Sequence, residues 1–138
     1  MIVLGSGSLE AIRRHAEAAY PEECCGVLLG RLAWEERRVE EAAALENARQ
    51  EERRRRFLIT AEDYRAAEAQ AGRRGLVLLG FYHSHPDHPA RPSQYDLEHA
   101  LPWHSYVIVA VEQGEAGDCT AWILAADRTA FEPEVVRS

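Results

Sequence analysis

The seven-residue run Leu76-Val77-Leu78-Leu79-Gly80-Phe81-Tyr82, set between Gly75 and His83, constrains the fold most. It is too short for a helix and lacks polar alternation, so it reads as a strand buried on both faces. Such a strand needs partners on each side and helices over its faces. That restricts the chain to an α/β (α+β) architecture, with one central mixed sheet flanked by helices.

The remaining segments supply those parts. Residues 8–20 place Leu9, Ile12, Ala16 and Ala19 on one helical face, with Ser8 available as N-cap and Pro21 ending the run. Cys25-Gly26-Val27-Leu28-Leu29-Gly30 reads as a second buried strand, and residues 37–45 as a weaker one. Thr60, followed by Glu62 and Asp63, opens an alanine-rich helix that ends near Gly72. Pro92-Ser93-Gln94-Tyr95-Asp96 reads as another helix start, with Ser93 as cap and Asp96 at the third helical position, running to about residue 101. Strands are expected at 106–111 and 120–125, joined by a turn at 114–117, with a short strand near Val135. No repeat or linker divides the chain, so residues 1–138 are expected to form a single domain.

Charge and composition exclude several classes. The formal charge is −7, which disfavours a nucleic-acid partner; the basic run at 53–56 follows Glu51-Glu52 and reads as a solvated loop. No apolar stretch approaches the roughly 18–20 residues needed to span a bilayer, and no signal-peptide pattern is present, so a cytoplasmic protein without membrane partners is expected. Cys24, Cys25 and Cys119 have no disulfide or CxxC spacing and are expected as reduced thiols. All 16 basic residues are arginine, so the chain cannot carry a lysine isopeptide modification.

The chemistry starts where the central strand stops. In His83-Ser84-His85 the two imidazoles lie two residues apart, and in extended backbone they project to one side. Asp96 lies eleven residues beyond His85, across a loop stiffened by Pro86, Pro89 and Pro92. Two nitrogens and one carboxylate, with a coordination position left over, form the pattern of a catalytic zinc site. The same pattern also fits non-haem iron, and each residue has a plain structural role available: strand-end histidines, a capping serine, a first-turn acid.

Gly80-Phe81-Tyr82-His83-Ser84-His85-Pro86 followed by Pro92-Ser93-Gln94-Tyr95-Asp96 closely resembles the JAMM (MPN-plus) motif, His-x-His-Pro, seven residues, Ser-x-x-Asp. Glu23-Cys24-Cys25-Gly26-Val27-Leu28-Leu29-Gly30 is similar to the family's upstream glutamate segment. The resemblance implies a zinc metallopeptidase holding one Zn2+ on His83, His85 and Asp96. It implies Glu23 as general base and acid and Ser93 as oxyanion donor, with Glu22 the neighbouring candidate for the base. The chain resembles the short bacterial members, which implies an isopeptidase acting after the Gly-Gly tail of a ubiquitin-like or sulfur-carrier protein, in a groove narrow enough to admit only glycines. Monomer and homodimer are both left open. The competing readings are a non-catalytic MPN-type scaffold and an iron oxygenase, which would leave Glu23 and Ser93 without a task. His88, His99 and His104 surround the site in sequence and could form a rim, while His15 is expected at a helix surface; Trp103 and Tyr106 are expected to pack.

Overall fold

The structure, a computed structural model, describes residues 1–53 and 57–138. Arg54, Arg55 and Arg56 of the basic run lie outside the described residues. In chain order the elements are β1 (Ile2–Leu4), α1 (Ser6–Ala19), β2 (Cys25–Ala33), β3 (Glu36–Leu45), α2 (Ala61–Arg73), β4 (Val77–Pro86), α3 (Gln94–His99), β5 (Ser105–Glu112), β6 (Glu115–Leu124), β7 (Phe131–Glu134) and β8 (Val136–Arg137). The strands form one mixed sheet in the order β7-β6-β5-β4-β2-β3-β1-β8. β4 runs parallel to β5 and antiparallel to β2, so the apolar run is central as its composition requires.

The sheet carries a core on each face. On one side α1 packs Ile12 and Ala16 against Leu28, Leu79, Tyr82, Val107 and Val109. On the other, α2 packs Ala67 and Ala71 against Val27, Leu29, Phe81 and Tyr106. The alternation of Phe81 and Tyr82 between these cores sets the direction of the residues that follow. His83 and His85 share the α2 face with Phe81, while Ser84 points to the α1 face.

Several boundaries differ from the sequence expectation. β4 continues through both histidines to Pro86, because β5 pairs with it along its whole final stretch, Gly80 to Pro86. Helix α1 starts at Ser6 after Gly5, and Ser8 is buried inside it rather than capping it. The turn before β6 is confined to Gln113 and Gly114, both at positive φ, so β6 starts earlier than expected. β1 was not anticipated: three residues are too few to show a pattern, and β1 exists by pairing with β3 and β8. No helix among the described residues is long and apolar enough to cross a membrane.

Gly80 faces Ser105 of β5 with no room for a side chain. A Cβ there would lie 1.9 Å from the Ser105 carbonyl oxygen, so Gly80→Ala must push β5 away. We expect it to cost about 1–3 kcal/mol or more, seen as a lowered urea midpoint.

Candidate metal centre

His83 and His85 reach the site from the end of β4, each about 1% exposed. Asp96 comes from the first turn of α3, where its backbone N–H donates to Ser93 Oγ at 3.0 Å and its Oδ2 accepts from the Ser93 N–H at 2.9 Å. This reciprocal capping box fixes the carboxylate's direction. Ser93 is therefore the expected cap, and its hydroxyl proton is not used by the bond it accepts.

The three candidate ligand atoms converge. His83 Nε2 and His85 Nε2 are 3.1 Å apart, and each is 3.2 Å from Asp96 Oδ2. Donor atoms about 2.0–2.1 Å from a tetrahedral zinc are about 3.3 Å from one another, so this triangle has the size of one face of such a site. Protonation supports the same conclusion. His85 Nδ1 faces the Pro89 carbonyl at 2.8 Å, which can only accept, so the proton sits on Nδ1 and a lone pair faces Asp96 and His83. Burial lowers the His83 pKa, working against a second proton there. Burial alone would raise the Asp96 pKa, but the His83 ring, with the contact of the His85 ring and the hydrogen bond from the Ser93 N–H, outweighs it and holds the carboxyl well below the usual range. Three electron-rich atoms face one another with at most one proton to share among them, and a cation satisfies all three.

Glu23 completes the arrangement. It precedes β2, whose Cys25 pairs with His83 on β4, so two residues earlier on this antiparallel partner Glu23 comes level with His85. The Cys24 N–H donates to Ser84 Oγ at 2.8 Å, and the Ser84 N–H donates to the Cys24 carbonyl at 3.2 Å, which extends the pairing to the edge of the site. Glu23 is 2% exposed, its Oε1 has no hydrogen-bond partner among the described residues, and Glu23, His83 and His85 each offer an atom within 4.8 Å of the others, a group that can hold a metal ion. Burial, aided by the Asp96 charge, raises its pKa to about 9. Glu22 points to solvent near Arg53, which decides between the two adjacent acids.

Sequence reasoning missed the segment that covers this site. Asn47 Nδ2 donates to the Glu23 carbonyl at 3.2 Å, while its Oδ1 accepts from the Arg49 and Leu58 N–H groups, each at 3.0 Å. The Glu23 N–H donates in turn to the Arg53 carbonyl. Asn47 thus ties both ends of the β3–α2 connection to the Glu23 backbone. The tie also holds Phe57, whose ring stacks on His83 at 4.4 Å and whose carbonyl accepts from Tyr95 Oη at 2.8 Å. Asn47 is the chain's one asparagine, a signal visible in the sequence but without a direction.

Beside the triad lies a groove of about 640 Å³, lined by Phe57, Ile59, Tyr64, Phe81, Leu101 and Tyr106 and reaching His83 and Asp96. Its lining comes from the segment before α2, α2 itself, β4, α3 and the segment leading into β5. His99 and His104 line this groove, and His88 stacks on His85 at 4.3 Å. His15, expected at a surface, is half-buried with Nδ1 2.7 Å from Tyr82 Oη. Tyr106 is buried and its hydroxyl accepts from the Leu101 N–H, whereas Trp103 is half-exposed beneath the Arg37 guanidinium, 4.2 Å away. Among the described residues the three cysteines are free.

This combination of mixed sheet and flanking helices is the fold of JAB/MPN domains. Residues 6–125 match the family described as prokaryotic homologs of the JAB domain (Prok-JAB), and the chain belongs to that family. A solved protein from Desulfitobacterium hafniense superposes with a TM-score of 0.85 at 32% identity, covering 99% of this chain and 91% of its own. One from Salinibacter ruber gives 0.77 at 47% identity, covering 99% and 90%. A JAB1/MPN domain protein from Archaeoglobus fulgidus, at a TM-score of 0.59 and 20% identity over 99% and 92%, is alike in fold. Tail tip assembly protein K of Escherichia phage N15 is 35% identical over 112 residues, 78% of this chain; the chain spans 40% of that protein's length.

Two outcomes are expected of the metal-free protein. Glu23 holds its proton up to about pH 9 when folded but only to the usual 4.5 when unfolded, so folding takes up a proton between those values and stability falls as pH rises through the window. Glu23→Gln should flatten that decline in thermal melts from pH 5 to about 9. Asn47→Ala should accelerate amide exchange at Leu58 and Arg49 and cost about 1–3 kcal/mol, because two half-buried N–H groups lose their acceptor.

Proposed function

We propose that this chain is a zinc-dependent hydrolase of amide bonds, a peptidase or isopeptidase acting after the C-terminal Gly-Gly of a ubiquitin-like or sulfur-carrier protein. The observation that carries the reading is the Glu23 carboxylate, buried and with an unpartnered oxygen beside three convergent ligand atoms. Such a group costs the fold free energy unless something else at the site uses it. Assigning His83, His85 and Asp96 as ligands is part of the same proposal, and the two-nitrogen, one-oxygen set suits zinc.

Zinc bound there would supply a water of lowered pKa and a Lewis acid for the carbonyl. Glu23 takes the proton of the attacking water as its oxygen bonds to the carbonyl carbon. It then delivers that proton to the departing nitrogen as the C–N bond breaks, which leaves a carboxylic acid and an amine. The pKa of about 9 belongs to the metal-free site; a cation beside Glu23 would favour its ionised form, the form that can take a proton from water. The Ser93 hydroxyl accepts from Asp96 and keeps its own proton to donate to the oxyanion that develops on the carbonyl oxygen. The iron-oxygenase alternative assigns neither residue a role.

The second reading, a structural part in an assembly, is favoured by the likeness to a protein named for tail tip assembly. A scaffold gains nothing from a buried unpartnered acid, and replacing Glu23 would only stabilise it. The test is zinc quantification after gentle purification, together with cleavage of a carrier fusion. We expect one zinc per chain, loss of cleavage on chelation and recovery on re-addition of zinc; metal-free protein that added zinc does not activate would support the scaffold. Glu23→Gln should keep its zinc and lose nearly all turnover. Ser93→Ala should slow turnover about a hundred- to a thousandfold; an unchanged rate with a lowered melting temperature would limit Ser93 to capping.

A further inference from the structure

We infer that the groove beside His83 and Asp96 is a side-chain pocket selecting substrates with a bulky apolar residue immediately before the diglycine. This rests on the amide-hydrolase reading and specifies which tails are taken.

The spacing of the floor carries the inference. Phe81 precedes His83 by two residues on the same face of β4, and side chains on one face of a strand recur about every 6.6–6.8 Å. Tyr106, the register partner of Phe81 on β5, stacks on it at 5.6 Å, and Tyr64 of α2 stacks at 6.1 Å. Ile59 and Leu101 stand at the sides. An extended substrate along β4 has the same repeat. With its scissile carbonyl at His83 and Asp96, the side chain two residues back lies over Phe81. When the last two residues are glycines, that side chain belongs to the residue before them.

Size and chemistry agree. A groove of about 640 Å³ lies within the roughly 300–1,000 Å³ that accommodates whole small molecules, and two glycines leave most of it unfilled. Its floor is aromatic, so a leucine or phenylalanine there removes apolar surface from water on both partners. A gain of about ten- to a hundredfold in kcat/KM follows from burying one such side chain. A charged residue at that position would lose hydration above the Phe81 and Tyr106 rings without recovering it.

The experiment compares zinc-loaded protein on carrier fusions identical except for Leu-Gly-Gly, Gly-Gly-Gly or Asp-Gly-Gly before the cut. In parallel, NMR shifts of the metal-free protein are followed with the matching free-acid peptides. We expect Leu-Gly-Gly to exceed both others by about ten- to a hundredfold, with shifts at Ile59 and Tyr64. Leu101→Glu, at a wall position 37% exposed, should reduce the Leu-to-Gly ratio about tenfold. Equal cleavage of all three, or a preference for Asp-Gly-Gly, would overturn the pocket and leave the hydrolase intact. Cleavage of none with selective binding of the leucine peptide would remove the hydrolase and keep the pocket; no cleavage and no selective binding would remove both.

Discussion

The pairing of β2 with β4 is the contact on which the rest of this structure depends. Cys25 stands opposite His83, and the Cys24–Ser84 bonds carry the pairing one step beyond the ladder. That register puts Glu23 on the histidines' face at His85's level. A slip of one residue would turn Glu23 toward the α1 core and present Cys24 to the histidines. The apolar packing of Val27, Leu28 and Leu29 on two different faces holds the register, so the hydrophobic core places the buried Glu23 carboxyl.

The site concentrates costs that the fold elsewhere avoids. Two histidines, an aspartate and a glutamate are buried together, and Glu23 Oε1 and His83 Nδ1 have no partner among the described residues. Backbone groups and aromatic rings offset part of this. Pro89 fixes one imidazole, Phe57 covers the other, and the α3 capping box orients the carboxylate. Each support is local and comes from a separate element. The directions of these side chains are therefore set by the chain's own hydrogen bonds and packing.

Cover and groove are two sides of one construction. The β3–α2 connection is tied by Asn47 to the backbone of Glu23, and its far end leads through Phe57 and Ile59 into α2. The same segment that roofs His83 thus forms one wall of the apolar groove. That wall and the Glu23 backbone are linked through a single side chain, Asn47.

Short-range features were legible in the sequence alone. The buried run of β4, the capping boxes Thr60–Asp63 and Ser93–Asp96 and the spacing of His83, His85 and Asp96 are all set by residues a few positions apart, where local sterics and hydrogen bonding decide. The burial of Glu23 rather than Glu22, the reach of β4 through the histidines, the existence of β1, the tie made by Asn47 and the apolar groove beside the site were decided only by tertiary structure. Each depends on pairing between segments distant in the chain. Strand register and the separation of packed elements come from how whole faces fit together, and no local pattern encodes them.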